Sequence, residues 1–337
     1  MHDGRLCGHC ALNEIMMKKI SASILLIFFV TVVVAQLPTT LRITGTRFTF
    51  PVFKKWADEY NKIHPEVHFT IATAIPADST DIFIISHVLK TSDVKAEQTS
   101  IALAQYVQLP VVNSERTDLK TLSAKGFTDE AFRQIYFTDV TQRSIDFKDS
   151  FVVYKRQKAA CSSVSFANHF GNEHIDIKGI NVPGDDQDLL EAVKKDKNAI
   201  SHNSLGIIYN INTRKINDSI AIVPIDLNEN GKIDDNEKIY STIDEVVAFV
   251  EKAKHPKIPV ENIHVIFSKT INRTTIINFL EWVITTGQQF NHEFGLLNLN
   301  AATIQQEQKL LTKSIMLNSD SLRLESLKNT TITVNKN

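Results

Sequence analysis

Residues 43–71 read ITGTRFTFPVFKKWADEYNKIHPEVHFTI, and the order of apolar and polar positions within them decides the fold class. The segment Leu41 to Thr44, which ends in the β-branched Ile43 and Thr44, predicts a short strand, and Gly45 starts a loop. From Pro51 to His64 the apolar residues Val52, Phe53, Trp56, Tyr60 and Ile63 recur at spacings of three and four, the period of a helix with one buried face. Pro51 suits a first helical position, where its fixed φ is already helical and its missing N–H costs no hydrogen bond. Glu66 to Ala72 then reads as a second strand and Asp81 to Ser86 as a third. Strands that alternate with a helix from the outset indicate an α/β fold.

Outward from this opening, Ala104 to Val112 predicts a strand that crosses into a middle region. That region begins at Leu119 to Tyr136, has a strand at Phe151 to Tyr154, and carries helices at Ser162 to Phe170 and Asp186 to Lys195 before a strand-like Gly206 to Tyr209. Near the C-terminus Ile263 to Phe267 is an expected strand. Thr274 to Phe290 is an expected helix, with Ile277, Leu280, Trp282, Ile284 and Phe290 as its apolar positions. Apolar content falls after Ser314, as in a fraying tail.

The chain has 337 residues, enough for one large or two ordinary domains, and its 43% hydrophobic content is too high for a disordered protein. With 37 Lys plus Arg against 38 Asp plus Glu there is no basic excess, so a dedicated nucleic-acid binder is not indicated. Three cysteines make no disulfide scaffold. Met16 to Ala35 reads MMKKISASILLIFFVTVVVA, in which two lysines precede an apolar run from Ile24 to Val34 and small residues precede Gln36. This is the layout of a secretory signal peptide cut near Ala35, and the apolar run is too short for the ~20 residues that span a bilayer. The periplasm or the exterior is the expected location. Upstream, Cys7 and Cys10 form a CxxC pair without the strand, helix or second ligand pair that redox or zinc sites require, so residues 1–15 read as an extension ahead of the true start.

The segment Ile43 to Ile71 resembles the start of the phosphate-binding proteins of phosphate ABC transporters, the PstS family, which show I-T-G-x-G-x-T-F-P followed by a helix carrying K-W-A. The resemblance continues through a strand ending at Ser86, Gln108 to Pro110, an Arg-led loop at Arg156 and FLEWVITTGQQFNHEFG at Phe279 to Gly295. It implies a two-lobed type II periplasmic-binding-protein fold, with residues 36–111 and 259–313 in lobe 1 and 112–258 in lobe 2. It also implies an oxyanion, phosphate first, held between the lobes and delivered to an ABC permease without chemistry. Physical reasoning agrees. Thr49 and Phe50 precede the Trp56 helix, Ser162 and Ser163 open the Phe166 helix, and helix N-termini stabilise anions. Arg156 offers a two-pronged fork to a tetrahedral anion.

This sequence departs from the family pattern in its loops. Arg47 stands where the family has a second Gly, and a Ser-Gly-Gly segment is missing around Ile75 to Thr80. The strand that should end in Ser-Asp ends in Ser86-His87, and a neutral imidazole accepts at one nitrogen whereas a protonated one only donates. Cys161 takes a Gly position of the Arg156 loop. It reads as a small, half-buried residue and not as a nucleophile, because the sequence places no base beside it. These losses favour an alternative, an exported interaction or sensing module that has given up its anion.

A second constellation lies at 226–237, DLNENGKIDDNE. On a twelve-residue calcium loop, Asp226, Asn228 and Asn230 take positions one, three and five, Gly231 makes the turn, and the Lys232 carbonyl sits at seven. Asp234 follows at nine and Glu237 closes the loop at twelve. The expected cofactor is a structural Ca²⁺. Asn230-Gly231 is also a hairpin signal, and the flanks Ala221 to Ile225 and Lys238 to Tyr240 read as strands, so a metal-free acidic hairpin is the competing reading.

Overall fold

The computed structural model describes residues 39–144, 151–269 and 273–313. The expected leader at 1–35 and tail at 314–337 therefore lie outside the described residues. Among the described residues ten strands form one continuous ladder: β1 (Thr39–Gly45), β2 (Val67–Ile71), β3 (Ile82–Ile85), β4 (Gln98–Asn113), β5 (Val152–Arg156), β6 (Ile180–Val182), β7 (Ala199–Ser204), β8 (Ile220–Ile222), β9 (Val260–Ser268) and β10 (Leu296–Leu297). Their order is β2-β1-β3-β9-β4-β7-β5-β6, with β8 and β10 also paired to β4.

β1 runs parallel to β2 and β3, whereas β9 is antiparallel to both β3 and β4. The parallel β1–β2 pair requires a crossover. The Phe50–Asn61 helix supplies it and buries Val52, Phe53, Trp56, Ala57 and Tyr60. Ile63 falls beyond the end of this helix and is 60% exposed, so the apolar stripe stops one residue earlier than its spacing predicts. Trp56 is fully buried, and its Nε1–H donates to the Gly287 carbonyl at 3.0 Å.

β4 joins two cores. From Gln98 to Val107 it pairs with β9, and from Gln108 to Val112 with β7. One core gathers Leu41, Ile43, Phe53, Trp56, Val265 and Phe279, and the other Leu109, Phe132, Phe166, Leu190, Ile200 and Val246. The architecture is the two-lobed α/β arrangement expected from the sequence. The Asp186–Lys195 helix has its predicted limits because Asp185 caps it, accepting from the N–H groups of Gln187 and Asp188.

Three local expectations fail. Leu205–Ile208 is a single helical turn, and the strand is the preceding Ala199–Ser204, whose polar Ser201, His202, Asn203 and Ser204 are all buried. The helix expected to Phe290 ends at Ile284, in a Thr-Thr-Gly run of poor helix formers, and Thr286–Phe294 continues as 3₁₀ turns. Lys238 to Tyr240 is not a strand; the buried Tyr240 hydroxyl accepts from the Ile225 N–H at 3.1 Å instead. No helix among the described residues is long and apolar enough to cross a membrane.

Candidate functional site

A cleft of ≈ 600 Å³ opens between the two cores. One wall is the loop from Gly45 to Phe48 with the end of β3 and His87; the other is Arg156, the Ala159–Ser162 turn and Asp185–Gln187. The N-termini of the Cys161–His169 and Asp186–Lys195 helices open onto it, and Pro51 brings the start of the Phe50–Asn61 helix to its edge.

Arg156, the last residue of β5, is 7% exposed. Its Nη1 donates to Asp186 Oδ1 at 2.7 Å and its Nη2 to the Gly184 carbonyl, while its buried Nε has no protein partner. Ser162 donates its hydroxyl to the same Asp186 oxygen at 3.1 Å. Burial raises the Asp186 carboxyl above its usual range, against the opposing pull of Arg156 and Ser162. Arg47 spans the mouth of the cleft. Its Nη1 lies 3.5 Å from Asp185 Oδ2, and its Nη2 donates to the Gly184 carbonyl at 3.4 Å.

The opposite corner is built around Cys161, the first residue of its helix. His87 Nδ1 is 3.2 Å from the Cys161 sulfur, and His87 Nε2 is 3.5 Å from Asp93 Oδ2. The Thr46 hydroxyl, itself accepting from Ser86 at 3.3 Å, lies 3.2 Å from the sulfur. Burial pushes the Cys161 thiol up, but hydrogen bonds from His87, Thr46 and the Ser86 backbone outweigh it and leave the thiol below its ordinary value. The hydrogen bond to Cys161 raises His87 above the usual histidine range, and Asp93 adds to the shift. Beneath this corner the Ser86 carbonyl accepts from the Tyr106 hydroxyl at 2.7 Å. Tyr106 and Gln108, on the crossing stretch of β4, both reach Ser165 Oγ, at 2.6 and 2.7 Å.

The structure thus brings His87, Arg156 and Ser162 to one cleft, with Ser86 buried just behind it. Thr49 and Phe50 do not join them. The Thr49 N–H and hydroxyl both bond the Thr46 carbonyl, at 3.3 and 2.6 Å, and the Phe50 N–H bonds the Arg47 carbonyl. A 3₁₀ turn has consumed the donors that would otherwise meet an anion. Sequence reasoning missed Thr46, Asp93 and Asp186, and it set Cys161 aside for want of a base that His87 supplies. The Asp-Asp pair opening a predicted helix was the available signal for Asp186.

The loop at 226–237 is folded tightly on itself. Asp226 and Glu237 are buried; Asp226 accepts from the N–H groups of Asn230 and Gly231 at 3.3 and 2.8 Å, and Glu237 from those of Leu227 and Asp234 at 2.8 and 2.9 Å. The Asn228 and Asn230 amides donate to Asp234 Oδ2 at 3.0 and 2.8 Å, and Lys232 Nζ lies 3.0 Å from its other oxygen. Gly231 has φ +83°, the left-handed turn that position six demands. The oxygen-rich donor set and the turn fit a hard cation, although among the described residues no three acid, His or Cys groups are already gathered for a metal.

No protein-family model matches the chain, and no curated protein sequence matches it. Solved structures match its fold. One from Clostridium perfringens, assigned as a phosphate ABC transporter substrate-binding protein and determined with bound phosphate, is 16% identical with a TM-score of 0.59, covering 78% of this chain and 100% of its own. An ABC-type phosphate transport receptor from Vibrio cholerae is 15% identical with a TM-score of 0.54, covering 77% of this chain and 100% of its own. At such identity the likeness establishes the two-lobed fold of these receptors.

Proposed function

We propose that this receptor fold serves here as an exported solute-binding protein that captures an oxyanion, phosphate first, and passes it to an ABC permease. The observation that carries the reading is the convergence of Arg156, Ser162, Arg47 and two helix N-termini on one interlobe cleft. Capture and release by lobe movement suffice, and no bond need be made or broken. Asp186 takes over the part of the carboxylate missing after Ser86, accepting the proton of hydrogen phosphate from the other side of the cleft. The leader at Met16–Ala35 supports export to the periplasm or the exterior. Isothermal titration of the chain from Gln36 onward, with phosphate and with sulfate, tests this. Saturable phosphate binding is expected, and silence toward both anions removes the transport reading.

Two observations favour the alternative of a module that has lost its anion: the Thr49 and Phe50 amides are spent within a turn, and Arg156 is already neutralised by Asp186. The same titration separates the two.

We also propose that Asp226, Asn228, Asn230, the Lys232 carbonyl, Asp234 and Glu237 hold a structural Ca²⁺ in place of the loop's internal amide donors. Millimolar calcium is expected to raise the melting temperature by several degrees, since a ligand at 100 times its Kd adds about 2.7 kcal/mol. Glu237→Gln removes that rise; equal melting in calcium and in chelator overturns the assignment.

A further inference from the structure

We propose that Cys161 is a nucleophilic thiolate paired with a His87 imidazolium oriented by Asp93, and that the cleft is a covalent modification site for small hydroperoxides. This rests on geometry independent of the anion reading. Nucleophile, base and orienting carboxylate stand in line, sulfur to Nδ1 at 3.2 Å and Nε2 to Oδ2 at 3.5 Å, at the N-terminus of a nine-residue helix. Thr46 adds a second contact to the sulfur.

The donors show which electrophile fits. The Thr46 hydroxyl and His87 Nδ1 both lie 3.2 Å from the sulfur itself. That arrangement holds a thiolate with a proton donor directly beside it, so it suits an attack whose leaving group is small and takes a proton. With hydrogen peroxide, the sulfur attacks one oxygen, the S–O bond forms and the O–O bond breaks. Sulfur loses two electrons to the peroxide, and the departing hydroxide takes the proton of the His87 imidazolium, leaving sulfenic acid and water.

The pair also straddles the cleft. Thr46, His87 and Asp93 belong to the half that carries β1 to β3, whereas Cys161 opens a helix of the other half, so separation of the lobes dissolves the ion pair. Other titratable and charged groups face it: Tyr106 from β4, Glu261 and His264 from β9, and Arg47, Arg156, Asp185 and Asp186 from the cleft walls.

The test is the alkylation rate of Cys161 by iodoacetamide across pH 5 to 9.5, on the chain from Gln36 onward. An ordinary thiol loses about tenfold in rate per unit below pH 8.5. Here the rate at pH 7 is expected to stay within about threefold of that at pH 9. His87→Asn is expected to lower it by about tenfold at pH 7 and restore the ordinary profile; Asp93→Asn lowers it less. Peroxide followed by dimedone should add one label per chain, at Cys161. An ordinary thiol profile in the unsubstituted chain, which needs no variant to fold, overturns the proposal. So does the absence of a dimedone adduct, or a profile that neither His87→Asn nor Thr46→Val shifts. The alkylation profile is read without phosphate and phosphate binding is read by titration, so that either reading can fail while the other stands.

Discussion

Arg156→Ala is expected to cost about 3–5 kcal/mol of folding stability and to abolish the phosphate binding proposed above. The guanidinium is the only cation bonded to Asp186, whose side chain is 13% exposed, among the described residues, so its loss leaves an uncompensated carboxylate next to Ser162. Asp186 already titrates above its ordinary value through burial, and losing Arg156 lifts it further. For an acid whose folded pKa is raised, the folded state holds its proton more tightly than the unfolded chain does. Stability therefore falls as pH rises from the unfolded value of 3.8 through the folded one. The penalty of Arg156→Ala is thus expected in full near neutrality and to shrink toward pH 4, where Asp186 is neutral. Urea melts at the two pH values measure it. Combining Arg156→Met with Asp186→Leu is expected to recover most of the stability while leaving binding lost, because the pair contributes more to recognition than to folding. A penalty indifferent to pH would show that Arg156 acts through packing alone.

Trp56→Ala is expected to destabilise by about 3–5 kcal/mol, the range for a large aromatic removed from a core. Trp56 is fully buried in the half that carries β1 to β3, meets Phe53 edge-on at 4.9 Å and ties its helix to the Thr286–Phe294 turns through Gly287. Collapse around the cavity is obstructed on the same side, because Gly287 already sits so close that an added Cβ would lie 3.3 Å from the indole. Trp56→Phe retains the aromatic packing but loses the hydrogen bond, and is expected to cost about 1–2 kcal/mol. Urea denaturation at constant slope reads both; a loss below about 1 kcal/mol for the alanine variant would mean that the site repacks freely.

Where local physics acts alone, the fold was legible. The Phe50–Asn61 helix follows from its apolar spacing and Pro51, and the Asp186–Lys195 helix from the Asp that caps it. Legibility failed where tertiary context overrode pattern. AISHNS carries four polar residues and no apolar alternation that would predict a strand, yet as β7 it lies between β4 and β5 with every residue buried, and His202 stacks on Phe166 at 3.8 Å. LGII is apolar enough for a strand but too short for its periodicity to arbitrate. At the site, Arg156 and Ser162 were visible as types suited to anions. The Cys161–His87 pairing was not, because 74 residues separate its members and only closure of the chain into two halves joins them. Thr49 and Phe50 failed for a subtler reason: proximity to a helix start does not leave an amide free when a 3₁₀ turn precedes it.

β4 has a consequence for heredity as well as for folding. One sixteen-residue strand pairs with β9 over its first part and with β7 over its last, with Tyr106 and Gln108 at the junction bonded across to Ser165. A recombination breakpoint anywhere inside it would strip both halves of a central strand at once. The two lobes are therefore not interchangeable modules that a genome could shuffle separately, and a chimera that grafts one half onto a protein of the same fold must carry the whole of residues 98–113 from a single parent.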